Sequence, residues 1–236
     1  MNQSNNKNLE FIKNSGVNYL LQESPRKWFE SASKLPLESR INKNSDKSER
    51  INELVNKIKN FDTPLKKSAN NLVVYDGNID AKIMFIGEAP GKDEDIQGLP
   101  FVGKAGQLLN KMLTAINLKR EQVYITNVVN WRPPDNRTPT DNEILQFLPF
   151  LQEQIDLVNP NYIFLLGGVA CKAILSTPLS LGKLRGSWHE YHSLALNKKI
   201  YTIASYHPAF LLRSPQYKRA SWEDLQMLQK KLNENN

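Results

Sequence analysis

The chain has 236 residues, 40% of them hydrophobic, which is enough for one substantial core; it is long for one domain and short for two, so one domain with an appendage is expected. Lys plus Arg outnumber Asp plus Glu by 31 to 24, a formal net charge of +7 that favours a polyanionic partner. No run approaches the roughly 18 consecutive apolar residues of a membrane helix, the opening Met1–Lys7 lacks the apolar stretch of a secretory signal, and the single cysteine, Cys171, excludes an intramolecular disulfide and an all-cysteine metal site.

Residues 1 to about 30 carry a modest helical pattern (Leu9, Ile12, Tyr19, Leu20, Leu21, Trp28, Phe29), and residues 31–48 are polar enough to read as a linker. From Ser48 the pattern sharpens: Ile51, Leu54, Val55 and Ile58 share one helical face, so the main domain is placed at 49–236 and the appendage at 1–48. Five apolar runs follow as predicted strands: LVVY (72–75), KIMFIG (82–87), QVYITNVV (122–129), NYIFLLG (161–167) and KIYTIAS (199–205). Between them AGQLLNKMLTAI, NEILQFLPFLQEQIDLV and GVACKAIL read as helices, and Pro215 to Leu232 as a final amphipathic helix. Continuous apolar strands alternating with helices predict an α/β fold: a three-layer α/β/α sandwich around a mainly parallel sheet. Cys171 lies inside such a run and reads as a small buried residue.

Ligands of such sheets sit in the loops after the strands, and three of those loops are unusual. KIMFIG runs into Gly87-Glu88-Ala89-Pro90-Gly91, where glycines permit tight turns and close ligand approach, and then into Asp93, Glu94 and Asp95. The acidic residues read either as chemistry or as a solvated loop that caps a helix. Leu99-Pro100-Phe101-Val102-Gly103 is apolar where a surface loop is normally polar; its ring either stacks on a planar ligand or fills a gap beneath the loop. QVYITNVV runs into NWRPPDNRTPT, and KIYTIAS into YHPAFLLRSP, which holds His207; His189 and His192 carry no such context.

Three segments then carry a resemblance. GEAPGKDEDIQGLPFVGKAGQLLNKML (87–113), VYITNVVNWRPPDNRTP (123–139) and SYHPAFLLRSP (205–215) resemble, in order and spacing, the signatures of the family 4 uracil-DNA glycosylases. The resemblance implies an α/β/α enzyme of base-excision repair that flips uracil out of DNA, hydrolyses its glycosidic bond and leaves an abasic site. It implies that Phe101 stacks on uracil and Asn127 bonds its polar edge, with Gly87 and Ala89 completing the pocket. His207 would contact the carbonyl on which negative charge grows, and Glu88 and Glu94 would position water or stabilise the cationic sugar. The chemistry requires negative charge on the sugar side and donors on the base side. Ala89 stands where the best-known relatives carry a catalytic Asp. Leu211, Leu212 and Arg213 are expected on a loop as a wedge and a phosphate contact, with Lys183 and Arg185, then Arg132, Arg137 and Lys218, as further DNA contacts.

The family usually holds a four-iron, four-sulfur cluster on four cysteines, whose positions fall here on Asn60, Thr63, Trp131 and Phe147. Such clusters need thiolates, so no cofactor or metal is expected, and Trp131 and Phe147 are expected to meet side by side in the vacated volume. Asp135 departs from the family's glycine. Competing readings are a sensor that binds uracil or damaged DNA without catalysis, and a nucleotide-binding protein, against which stands the lack of GxxxxGK[ST] and GxGxxG. A third is a glycosylase that stays attached to DNA, against which stands the short Pro178–Gly186 segment. The expected partner is uracil-containing DNA, single- or double-stranded, met by a monomeric cytoplasmic protein, nucleoid-associated in a prokaryote.

Overall fold

A computed structural model describes residues 46–234; the predicted N-terminal helical pattern and nearly all of the linker lie outside the described residues. The first helix among the described residues, α1 (Lys47–Asn60), buries Ile51, Leu54 and Ile58, the face its spacing predicted. It is followed by β1 (Tyr75–Gly77), β2 (Ile83–Gly87), α2 (Lys92–Gln97), α3 (Lys104–Ala115), β3 (Tyr124–Asn127) and α4 (Asp141–Val158). Then come β4 (Tyr162–Leu166), α5 (Gly168–Leu175), α6 (Leu181–Leu184), β5 (Trp188–Ser193), β6 (Lys198–Ser205), α7 (Pro208–Arg213) and α8 (Lys218–Asn233). Thr140 starts α4 with a capping box: its hydroxyl accepts from Glu143 N at 3.2 Å while the Glu143 carboxylate accepts from Thr140 N at 2.7 Å.

The strands form one six-stranded sheet in the order β1-β3-β2-β4-β6-β5. The inner pairs β3–β2, β2–β4 and β4–β6 are parallel, and the outer strands β1 and β5 pair antiparallel. Alternation along the buried strands sends Met84, Ile86, Ile163 and Leu165 to one core and Ile83, Phe85, Tyr162 and Phe164 to the other. The first core is covered by apolar residues of α1, α4 and α5, the second by those of α3, α7 and α8, which is the expected three-layer sandwich.

Two strand assignments need correction. The run at 72–75 is a strand only from Tyr75; Val73 and Val74 are buried by packing, with Val73 N donating to Asn130 O at 2.9 Å. Trp188–Ser193 was missed because an edge strand is half-exposed, and its sequence WHEYHS has no apolar run to reveal it.

Candidate active site

Chain order reverses at β2, whose neighbours are β3 on one side and β4 on the other, and at such a reversal the loops diverge and leave a crevice. The crevice measures about 580 Å³ and is lined by Glu88 and Ala89 after β2, Asn127 at the end of β3, Gly167 and Gly168 after β4, and His207 after β6. Four strand ends converge, therefore, where the sequence reading singled out three. The Gly167-Gly168 pair was missed; glycines directly after a predicted strand were the available signal. Gly167 has φ +96°, and a Cβ on it would stand 3.1 Å from the Cβ of His207.

Gly87 and Asn127 are register partners on adjacent parallel strands. A Cβ at Gly87 would approach Asn127 Oδ1 to 2.4 Å and the Phe101 ring to 2.5 Å, so only glycine lets amide and ring converge there. Asn127 is 2% exposed, and its Oδ1 has no hydrogen-bond partner, a cost of about 1–3 kcal/mol unless a ligand donor arrives. Phe101 is buried with φ 54°, a left-handed conformation uncommon for an aromatic, and its ring lies 5.5 Å from the His207 ring.

His207 is the N-cap of α7, and its Nδ1 accepts from Ala209 N at 3.1 Å. An Nδ1 that accepts is unprotonated, so the neutral ring carries its proton on Nε2. Burial, reinforced by the positive Arg213, lowers the ring's pKa to about 4, which keeps this neutral tautomer at ordinary pH.

The two glutamates of the first loop are in opposite states. Glu94 is buried and its carboxylate accepts from Gly91 N at 3.1 Å and from Val102 N and Gly103 N at 2.9 Å each. Its oxygens thus hold the backbone of the loop that carries Phe101. Glu88 is only half-buried and faces the crevice. Burial raises its pKa, opposed by a hydrogen bond with Thr138 and by the charge of Arg213. Thr138, with Pro133, Asn136 and Arg137, brings the NWRPPDNRTPT loop to the crevice wall. In that loop Asp135 (φ 54°) and Asn136 (φ 55°) both take the left-handed conformation, so the glycine-type turn survives with side chains that tolerate it.

Of the expected DNA contacts, Leu211, Leu212 and Arg213 lie on the short helix α7 and not on a loop. Leu211 is 1% exposed and belongs to the core, which removes it as a wedge; Leu212 and Arg213 are exposed. Arg185 turns inward: its guanidinium donates to the buried Asp224 at 3.0 Å and to Ala220 O, and lies over the Tyr206 ring. Arg137 is held by Glu143 through two bonds of 2.8 and 2.7 Å, which push Glu143 down to about 2. Lys183 and Lys218 are exposed.

At the four positions of the family cluster the donors do not fit. Asn60 is exposed, Thr63 caps a turn by accepting from Leu65 N at 3.4 Å, and Trp131 and Phe147 are buried in the same core. The rings do not meet in the expected way: Phe147 packs edge-on to Phe61 at 5.7 Å and beside Phe150 at 6.1 Å, whereas Trp131 lies under the Lys66 ammonium at 5.6 Å. Cys171 is buried and its thiol pushed up to about 12, far from the thiolate a metal needs. Among the described residues no group of three or more His, Cys, Asp or Glu could hold a metal ion, and no helix is long and apolar enough to cross a membrane.

Residues 74–226 match the family model of the uracil DNA glycosylase superfamily. A type-4 uracil-DNA glycosylase of Archaeoglobus fulgidus is 41% identical over 168 residues, 70% of this chain and 83% of the relative. One from Thermotoga maritima is 42% identical over 166 residues (69% and 84%), and one from Saccharolobus solfataricus 41% over 173 (71% and 79%). With the topology, the convergent strand ends and these matches in agreement, the chain belongs to the uracil DNA glycosylase superfamily, beside its type-4 members.

Proposed function

We propose that this protein excises uracil from DNA in base-excision repair, hydrolysing the N-glycosidic bond of a flipped nucleotide and leaving an abasic site. The observation that carries the reading is the arrangement at His207: Nδ1 is occupied by Ala209 N, Nε2–H is left for a ligand, and an orphaned amide, an aromatic wall and a separate carboxylate share the same crevice. A neutral donor, an acceptor without a donor and a stacking ring suit a planar base bearing both carbonyl and N–H groups.

In this reading Phe101 stacks on uracil, Asn127 Oδ1 accepts from the base N3–H, and the amide nitrogen donates to the neighbouring carbonyl. Cytosine offers the reverse pattern and leaves both partners unsatisfied. Gly87 and Ala89 form the near wall. As the bond between sugar C1′ and base N1 breaks, its electron pair passes to uracil, and His207 Nε2–H strengthens its bond to the carbonyl oxygen that receives the charge. Glu88 stabilises the oxocarbenium sugar and takes a proton from the water that adds to C1′. Arg213 and Lys183 are assigned to phosphates and Leu212 to the gap left by the flipped base.

The glycosylase domain is assigned to residues 49–236, acting as a monomer in the cytoplasm on single- or double-stranded DNA. No thiolate set exists for the family's cluster, so the assignment includes no cofactor. The test is incubation of the purified chain with a labelled uracil-containing oligonucleotide, then alkali. Strand cleavage that is unaffected by chelator is expected; repeated failure on single and double strands, with tight binding retained, would establish a non-catalytic sensor instead.

A further inference from the structure

We infer that Arg120 is a positioning residue that holds the ring of Phe101 against the base, a role that rests on the stacking assigned to Phe101 above. Phe101 is held in a left-handed backbone conformation at φ 54°, which an aromatic residue does not favour by itself, so its neighbours must impose it. The peptides on both sides are gripped. Arg120 Nη2 donates to Pro100 O at 2.5 Å and Nη1 to Phe101 O at 3.1 Å, while Glu94 takes the N–H groups of Val102 and Gly103. Gly106 lets the helix α3 press against the same carbonyl, since a Cβ there would fall 1.7 Å from Phe101 O.

Arg120 is anchored from outside this loop. It lies on the turn before β3, and its Nε donates to Asp76 on the edge strand β1 at 2.6 Å, with side-chain exposures of 17% for the arginine and 30% for the aspartate. A third bond, from Nη1 to Asn110 Oδ1 at 3.0 Å, ties the guanidinium to α3. A planar fork with five fixed donors can satisfy two carbonyls, an amide and a carboxylate together; an ammonium reaches fewer of them. Asp76 and Arg120 thus transmit the sheet edge to the aromatic wall. Released from the fork, the Phe101 peptide can return to negative φ, and the ring loses its place 5.5 Å from His207.

The test measures inhibition of the full chain by free uracil, together with kcat and KM on a uracil oligonucleotide, for Arg120→Gln, Arg120→Lys, Phe101→Ala and Phe101→Ala/Arg120→Gln. Arg120→Gln is expected to weaken uracil inhibition and raise KM by about fivefold or more, the scale of a lost base stack, with kcat within about twofold. Arg120→Lys should fall between it and the native chain, and decides the matter if Arg120→Gln does not fold. In the Phe101→Ala background Arg120→Gln should add nothing, because the two changes remove one interaction. Uracil inhibition unchanged in Phe101→Ala overturns the stacking reading itself. Inhibition weakened in Phe101→Ala but native in both Arg120 variants leaves stacking intact and overturns the inference. Additive effects in the double variant do the same, since they mark general loosening.

Discussion

Asn127 and Trp131 stand four residues apart on the segment that ends β3, yet they belong to regions built on opposite terms. At Asn127 polar groups are left open: its Oδ1 lacks a partner, His207 keeps a donor free, and Glu88 stays half-buried above its ordinary pKa. Around Trp131 and Phe147 the space is filled by rings, with Phe147 fully buried against Phe61 and Phe150. Even there Trp131 Nε1 has no partner, so burial of the ring outweighs one unmet donor. The difference teaches that stability and chemistry reside in separable places: the crevice retains unsatisfied groups for a ligand, and dry aromatic packing nearby offsets their cost.

The sharpest way to break this separation is Phe147→Ala. A fully buried large aromatic should cost about 3–5 kcal/mol in denaturant unfolding, with the excision rate per folded molecule unchanged. A fall in that rate at constant fold would join the two regions. Next, Glu88→Gln should slow single-turnover excision by about 10² or more while leaving the unfolding midpoint near native. His207→Ala should slow it as much but also cost about 1 kcal/mol of stability, because the ring caps α7. Near-native single-turnover rates in both would remove the catalytic assignment.

Smaller effects belong to base capture. Asn127→Asp removes the amide donor and sets a charge against the developing anion, and Phe101→Ala should weaken capture by about 1–3 kcal/mol, both read as reduced inhibition by free uracil. A separate prediction concerns the pH dependence. His207 titrates at about 4 in the fold against 6.5 for an ordinary histidine, so the unfolded chain binds the extra proton first as pH falls. Its contribution to stability is present above pH 6.5 and is lost from there down to about 4, while excision should not decline through His207 until pH nears 4. A rate falling with an apparent pKa near 6.5, absent in His207→Ala, would show a protonated ring and contradict the Nδ1 cap.

By itself the sequence determined the alternation of long apolar strands with amphipathic helices, because burial on both faces of a sheet imposes apolar runs that nothing else explains. It also determined that thiolates for a cluster are missing, since composition alone settles a donor count. It left β5 unseen, because a half-exposed edge strand draws its order from β6. It could not separate Glu88 from Glu94, Leu212 from Leu211, or Arg213 from Arg185. These pairs are equivalent in composition and differ in what the fold brings to them: three backbone N–H groups for Glu94, a core for Leu211, the buried Asp224 for Arg185. Only the tertiary structure decides which polar groups are already satisfied, because the partners that satisfy them lie on other elements.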